Sequence, residues 1–123
     1  MWFRNKRVPD WHETFVAIAR RVFDGQDFTL EQSLNALRNA NGLQLLAFDE
    51  EVRRRGTYWT PAQGYPKFIV RTALSNPEHA DAYLFYEACS GSGFVREQAL
   101  RALRGHDQRL ACAATLIRSQ DWV

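Results

Sequence analysis

At 123 residues the chain is one ordinary domain, long enough to bury a modest core. Hydrophobic residues at 46% and charged residues at 24% exclude a disordered chain. A net charge of +2 excludes a strong global pull toward nucleic acid or anionic membranes, and no apolar run approaches membrane-spanning length.

In chain order, the first segment is basic (Arg4, Lys6, Arg7) but leads into Pro9-Asp10, not an apolar stretch. It is therefore not a secretory signal, and a cytoplasmic location is expected. Asp10 caps a helix running to about residue 23, with Trp11, Phe15, Ile18, Ala19 and Val22 on one face and Gly25 closing it. Thr29 and Gln32 form a capping-box pattern ahead of Leu30, Leu34 and Leu37. Gly42 reads as the stop of that helix. A third helix is expected over residues 43–55, where Asp49, Glu50 and Glu51 precede Arg53, Arg54 and Arg55. Glu50 with Arg54 and Glu51 with Arg55 are (i, i+4) pairs in the favourable order, and arginines suit a helix C-terminus. This cluster reads as a solvated helix end.

Residues 56–65 break the helical pattern, with Tyr58, Trp59, Pro61, Gly64 and Tyr65. A helix is expected over residues 67–74. Asn76 and Pro77 then start another, carrying Ala80, Tyr83, Leu84 and Ala88 to about Cys89. Residues 90–93 are a Ser-Gly-Ser-Gly loop. Next comes a helix that places Val95, Ala99, Ala102 and Leu103 on one arc and Glu97, Arg101 and Arg104 on the other, with Gly105 as its stop. A last helix runs from Asp107, as cap, to Arg118. Cys89 and Cys112 both sit in apolar helical patterns, so both are expected to be buried free thiols in a reducing compartment.

The helix at residues 94–103 resembles the second helix of a HEAT-type repeat: Val95-Arg96, then Ala99, then Ala102-Leu103. Shifting the chain by 28 residues superposes Phe94-Val95 on Trp122-Val123, Ala88 on Leu116, Ala82 on Leu110 and Leu84 on Cys112. The resemblance spans residues 81–123, and the fold is expected to be HEAT-like from about residue 66 onward. It implies an all-α fold, a short α-solenoid of stacked antiparallel helix pairs. The loop before a HEAT second helix usually carries an aspartate for the motif arginine; here Ser-Gly-Ser-Gly precedes Arg96, while Asp121 holds such a position in the following unit. Trp122-Val123 then begin the second helix of a further unit where the sequence stops. An uncapped end of this kind implies a homo-oligomer or a piece of a longer protein.

No constellation supplies catalysis, a metal or a cofactor. His12-Glu13 is similar to one dyad of the HEAT-type metal hydroxylases, but such sites need several. His79 lies beside Glu78 and Asp81 in a first helical turn, where acids suit the dipole, and Cys89 and Cys112 have no zinc spacing. Ser90 and Ser92 lack the spacing of a nucleophile elbow or a phosphate loop. The strongest binding segment combines Arg53, Arg54, Arg55, Tyr58, Trp59, Tyr65, Lys67 and Arg71. Aromatic and arginine side chains recur at binding hot spots, and the same set can stack bases and neutralise phosphate. The plainer reading packs these aromatics onto the helices and leaves the arginines in water. Arginine outnumbers lysine fourteen to two, which follows from a GC-rich genome or from planar recognition of carboxylate or phosphate. The leading function is a non-enzymatic protein-interaction module, with Glu97, Arg101 and Arg104 on its exposed helical face. The alternatives are a nucleic-acid-binding or DNA-processing repeat protein, by likeness to HEAT-like DNA glycosylases, and a small bacterial inhibitor or immunity protein.

Overall fold

A computed structural model describes residues 11–55, 77–89, 93–105 and 108–119, apart from the side chains of Trp11, Arg55, Gly93, Phe94, Val95 and Gln108. Among these residues there are six α-helices and no strand, so the fold is all-α. The helices are α1 (Trp11–Val22), α2 (Leu30–Arg38), α3 (Gly42–Arg55), α4 (Ala80–Cys89), α5 (Gly93–Arg104) and α6 (Gln108–Ser119). A 3-10 turn, Pro77–His79, leads into α4. No helix among them is long and apolar enough to cross a membrane. Asp10, the helix expected over residues 67–74, Asn76, Asp107, Asp121 and Trp122-Val123 lie outside the described residues.

The first helix buries the expected stripe: Phe15, Ile18 and Ala19 are fully inside and Val22 packs against them. Its end is closed by Gly25, as expected. Asp24 takes the left-handed conformation (φ 52°), and the Gly25 N–H closes the turn on the Arg20 carbonyl at 3.0 Å. Aspartate is among the few residues besides glycine that take this conformation as single residues. Gly25 is needed for space: a Cβ there meets the Phe28 ring at 2.3 Å. Arg20 holds the loop by donating to the Phe28 carbonyl at 2.9 and 3.1 Å.

The Thr29–Gln32 box forms at both arms, 2.9 and 3.2 Å. A second reciprocal box follows. The Asn41 side chain accepts from the Gln44 N–H at 2.8 Å, and the Gln44 side chain accepts from the Asn41 N–H at 2.9 Å. This moves Gly42 from the stop of α2 to the first residue of α3, and Asn39 ends α2 instead. The open carbonyls beyond α2 are met from far along the chain: Arg109 of α6 donates to Ala40 O at 2.8 Å and to Arg38 O.

All ten residues of α4 are buried, including Asp81 and Glu87. A helix covered on every side is an inner helix, and α4 packs against α2, α3, α5 and α6. The core is centred on aromatic contacts of Phe48 with Phe15 (5.8 Å between ring centres), Tyr86 (6.0 Å) and Phe85 (6.2 Å), where α1, α3 and α4 meet. Burial pushes the Glu87 carboxyl up to about 8, so it is neutral at physiological pH.

The acidic and basic cluster of α3 corrects the expectation of a solvated helix end. Asp49 is 3% exposed and Glu51 is also buried, whereas Glu50 is exposed. Asp49 receives Arg53 at 3.1 Å and the nearly buried guanidinium of Arg118 in α6. Glu51 receives Arg21 of α1 at 3.2 Å, and Arg54 reaches Glu51 at 3.8 Å instead of the expected Glu50. The acids on the inner side of α3 thus tie it to α1 and α6.

Candidate functional site

The helix α5 places its residues as the periodicity requires. Ala99 and Leu103 are fully buried, Ala102 packs at the margin, and Glu97, Arg101 and Arg104 are exposed. Glu97 and Arg101 pair across one turn at 2.9 Å. An exposed (i, i+4) pair of this kind contributes only about 0.3–0.5 kcal/mol.

The next helix, α6, has more apolar residues than one face can bury. Leu110, Ala111 and Ala114 face the core, and Ile117 packs beside them. Cys112 and Leu116, one turn apart, face outward; Leu116 is 67% exposed. The expectation of two buried thiols therefore holds for Cys89 and fails for Cys112. Burial raises the Cys89 thiol well above its ordinary range, and a hydrogen bond to Asp49 adds to that. Of the residues superposed by the 28-residue shift, Ala82 and Leu110 are both buried, whereas Leu84 and Ala88 are buried opposite exposed Cys112 and Leu116.

Between α5 and α6 lies an open groove of about 460 Å³, lined by Arg104, Ala111, Cys112, Thr115 and Leu116. Its floor is apolar, and Arg104 contributes its one charged lining side chain among the described residues. The groove thus brings one of the expected surface residues, Arg104, together with four that the spacing argument missed. The signal for them was present: apolar residues run around the whole of α6, so some had to face outward.

The basic and aromatic segment is only partly described. Arg53 and Arg54 are exposed but engaged with Asp49 and Glu51, so they brace α3. The side chain of Arg55 and all of Tyr58, Trp59, Tyr65, Lys67 and Arg71 lie outside the described residues. Among the described residues no group of three or more histidine, cysteine or acidic side chains is placed to hold a metal. Among the described groove residues neither a histidine nor an acid lies beside the exposed Cys112. No protein-family model matches this chain, and neither a curated protein nor a solved structure matches it.

Proposed function

We propose that this chain is a non-enzymatic protein-binding module of HEAT-like type, acting through the α5–α6 groove. The observation that carries the reading is the open apolar groove with Leu116 exposed beside Cys112. A large aliphatic side chain left in water within a concave apolar surface is a feature of interaction sites. The HEAT-like part draws support from the packing of sequential helices, α4 on α5 and α5 on α6, across short connections. Contacts from α2 and α3 also cover α4, which makes it an inner helix and goes beyond the neighbour-to-neighbour contacts of a simple stack.

The outer face with Glu97, Arg101 and Arg104 adjoins the groove through Arg104, which supplies a polar edge. A second copy of the chain is the alternative protein partner. The test is photo-cross-linking from position 116 in the native cells, with position 43 as control, because Leu43 is equally open but outside the groove. The expected result is a discrete adduct from position 116, sensitive to protease and resistant to nuclease. A nuclease-sensitive adduct, or equal labelling from position 43, overturns the reading.

A further inference from the structure

We infer that the occupant of the α5–α6 groove is an amphipathic helix of a partner protein, with a carboxylate side chain directed at Arg104. The inference rests on the groove being a docking surface, as proposed above, and adds what docks there.

The first argument is charge. Most of the described arginine side chains have a named acceptor within the fold. Arg20 donates to a carbonyl, Arg38 to Asp81, and Arg109 to the carbonyls beyond α2. Arg21, Arg53, Arg54, Arg101 and Arg118 pair with acids. Arg96 is also engaged. Among the described residues Arg104 alone has no acceptor, and it borders the groove. No acid lines the groove among the described residues. The complementary surface is therefore apolar with a carboxylate at its edge, the group that a guanidinium engages best.

The second argument is shape. The groove is open to solvent, so a small ligand there leaves part of its surface wet, unlike one in an enclosed pocket. The described residues contain no strand edge on which an extended peptide could add. Cys112 and Leu116, like Ala111 and Thr115, repeat at one helical turn along α6. Such a surface accepts apolar anchors spaced i, i+3, i+4 and i+7 from a crossing helix.

The same observations weigh against other occupants. A second copy docking its own groove across a two-fold axis brings another Arg104 and, among the described residues, no groove acid to meet it. A nucleic acid requires several free cations, whereas among the described residues Arg104 alone has no acceptor, Arg101, Arg109 and Arg118 being committed.

The experiment uses the full chain and two fluorescein-labelled synthetic helical peptides. Both carry leucines at i, i+3, i+4 and i+7. One has glutamates flanking that face, the other lysines. Anisotropy titrations compare wild type, Arg104→Glu, Arg104→Gln and Leu116→Asp, each checked for its helical spectrum. For wild type the glutamate peptide is expected to bind at least about fivefold more tightly than the lysine peptide. Arg104→Gln should remove the preference, Arg104→Glu should invert it, and Leu116→Asp should weaken both peptides. Equal binding of the two peptides, lost in Leu116→Asp, keeps the groove as a docking surface but overturns the acidic partner. Binding of neither peptide overturns the helix assignment, while the cross-link from position 116 independently decides whether the groove docks a protein at all. A dimer of the unliganded chain that Leu116→Asp dissolves overturns the inference in favour of a second copy.

Discussion

Replacing Asp49 with alanine should unfold this domain far more readily than its place in a run of charged residues implies. Asp49 is 3% exposed and accepts from Arg53 at 3.1 Å, from Arg118 across 69 residues of sequence, and from the Cys89 thiol. Arg53 is half open to solvent and can turn outward when its partner is removed. Arg118 is nearly buried and cannot, so its guanidinium loses Asp49 while staying inside the α3–α6 contact. Removing one member of a buried ion pair costs about 3–5 kcal/mol, most of it the desolvation of the charge left behind. With one buried guanidinium deprived of Asp49 and some relief at Arg53, the lower end applies, about 3 kcal/mol. For a domain of this size that corresponds to a fall in Tm of roughly 10 °C. Urea unfolding followed by circular dichroism measures it directly. The double variant Asp49→Ala/Arg118→Met should recover a large part of the loss, because it removes both charges together. A loss below about 1 kcal/mol for Asp49→Ala would show that both groups are solvated, and would refute the buried cross-link.

Glu87, raised to about 8 from 4.5, keeps its proton in the folded chain where the unfolded chain has lost it. Its contribution to stability is full below pH 4.5 and declines as pH rises to about 8, by roughly 1.4 kcal/mol per unit. Glu87→Gln lacks that decline, so the gap in unfolding free energy between wild type and variant should shift in the variant's favour from pH 5 to pH 8; a pH-independent gap contradicts the buried carboxyl. Thiol reagents should label Cys112 quickly in the native protein and Cys89 only on unfolding, which mass mapping of the labelled site tests; early labelling of Cys89 contradicts its burial. Ala99→Asp should cost several kcal/mol, whereas Arg101→Ala should cost less than about 0.5, since one buries an unpaired charge and the other removes an exposed pair. Equal shifts in Tm for these two variants reverse the faces of α5.

What was legible in the sequence was local. The Thr29–Gln32 box, the Phe15–Ile18–Ala19 stripe and the faces of α5 depend on spacings of three and four residues, and each appears where the spacing puts it. The second box, Asn41 with Gln44, was equally local but hidden behind Gly42, which reads more readily as a stop. The Asp49–Arg118 pair was not legible, because nothing near Asp49 signals a partner on α6. The burial expected of Cys112 failed, and the exposure of Leu116 went unread, for the same kind of reason. Apolar residues encircle α6, and which of them reach water depends on where α2, α3, α4 and α5 lie. The groove is thus a product of tertiary packing, and only Arg104 in it stood out from sequence.

The central claim is that this is a protein-binding domain acting through the α5–α6 groove. Its most direct test is the affinity of the partner captured from position 116, measured for wild type and Leu116→Asp at low and at physiological salt. The expected result is a loss of at least about tenfold in Leu116→Asp, the size of an interface hot spot, with a much smaller effect of salt on wild type. An unchanged affinity in Leu116→Asp, together with a steep loss as salt rises, contradicts the claim and identifies a phosphate-dependent complex instead.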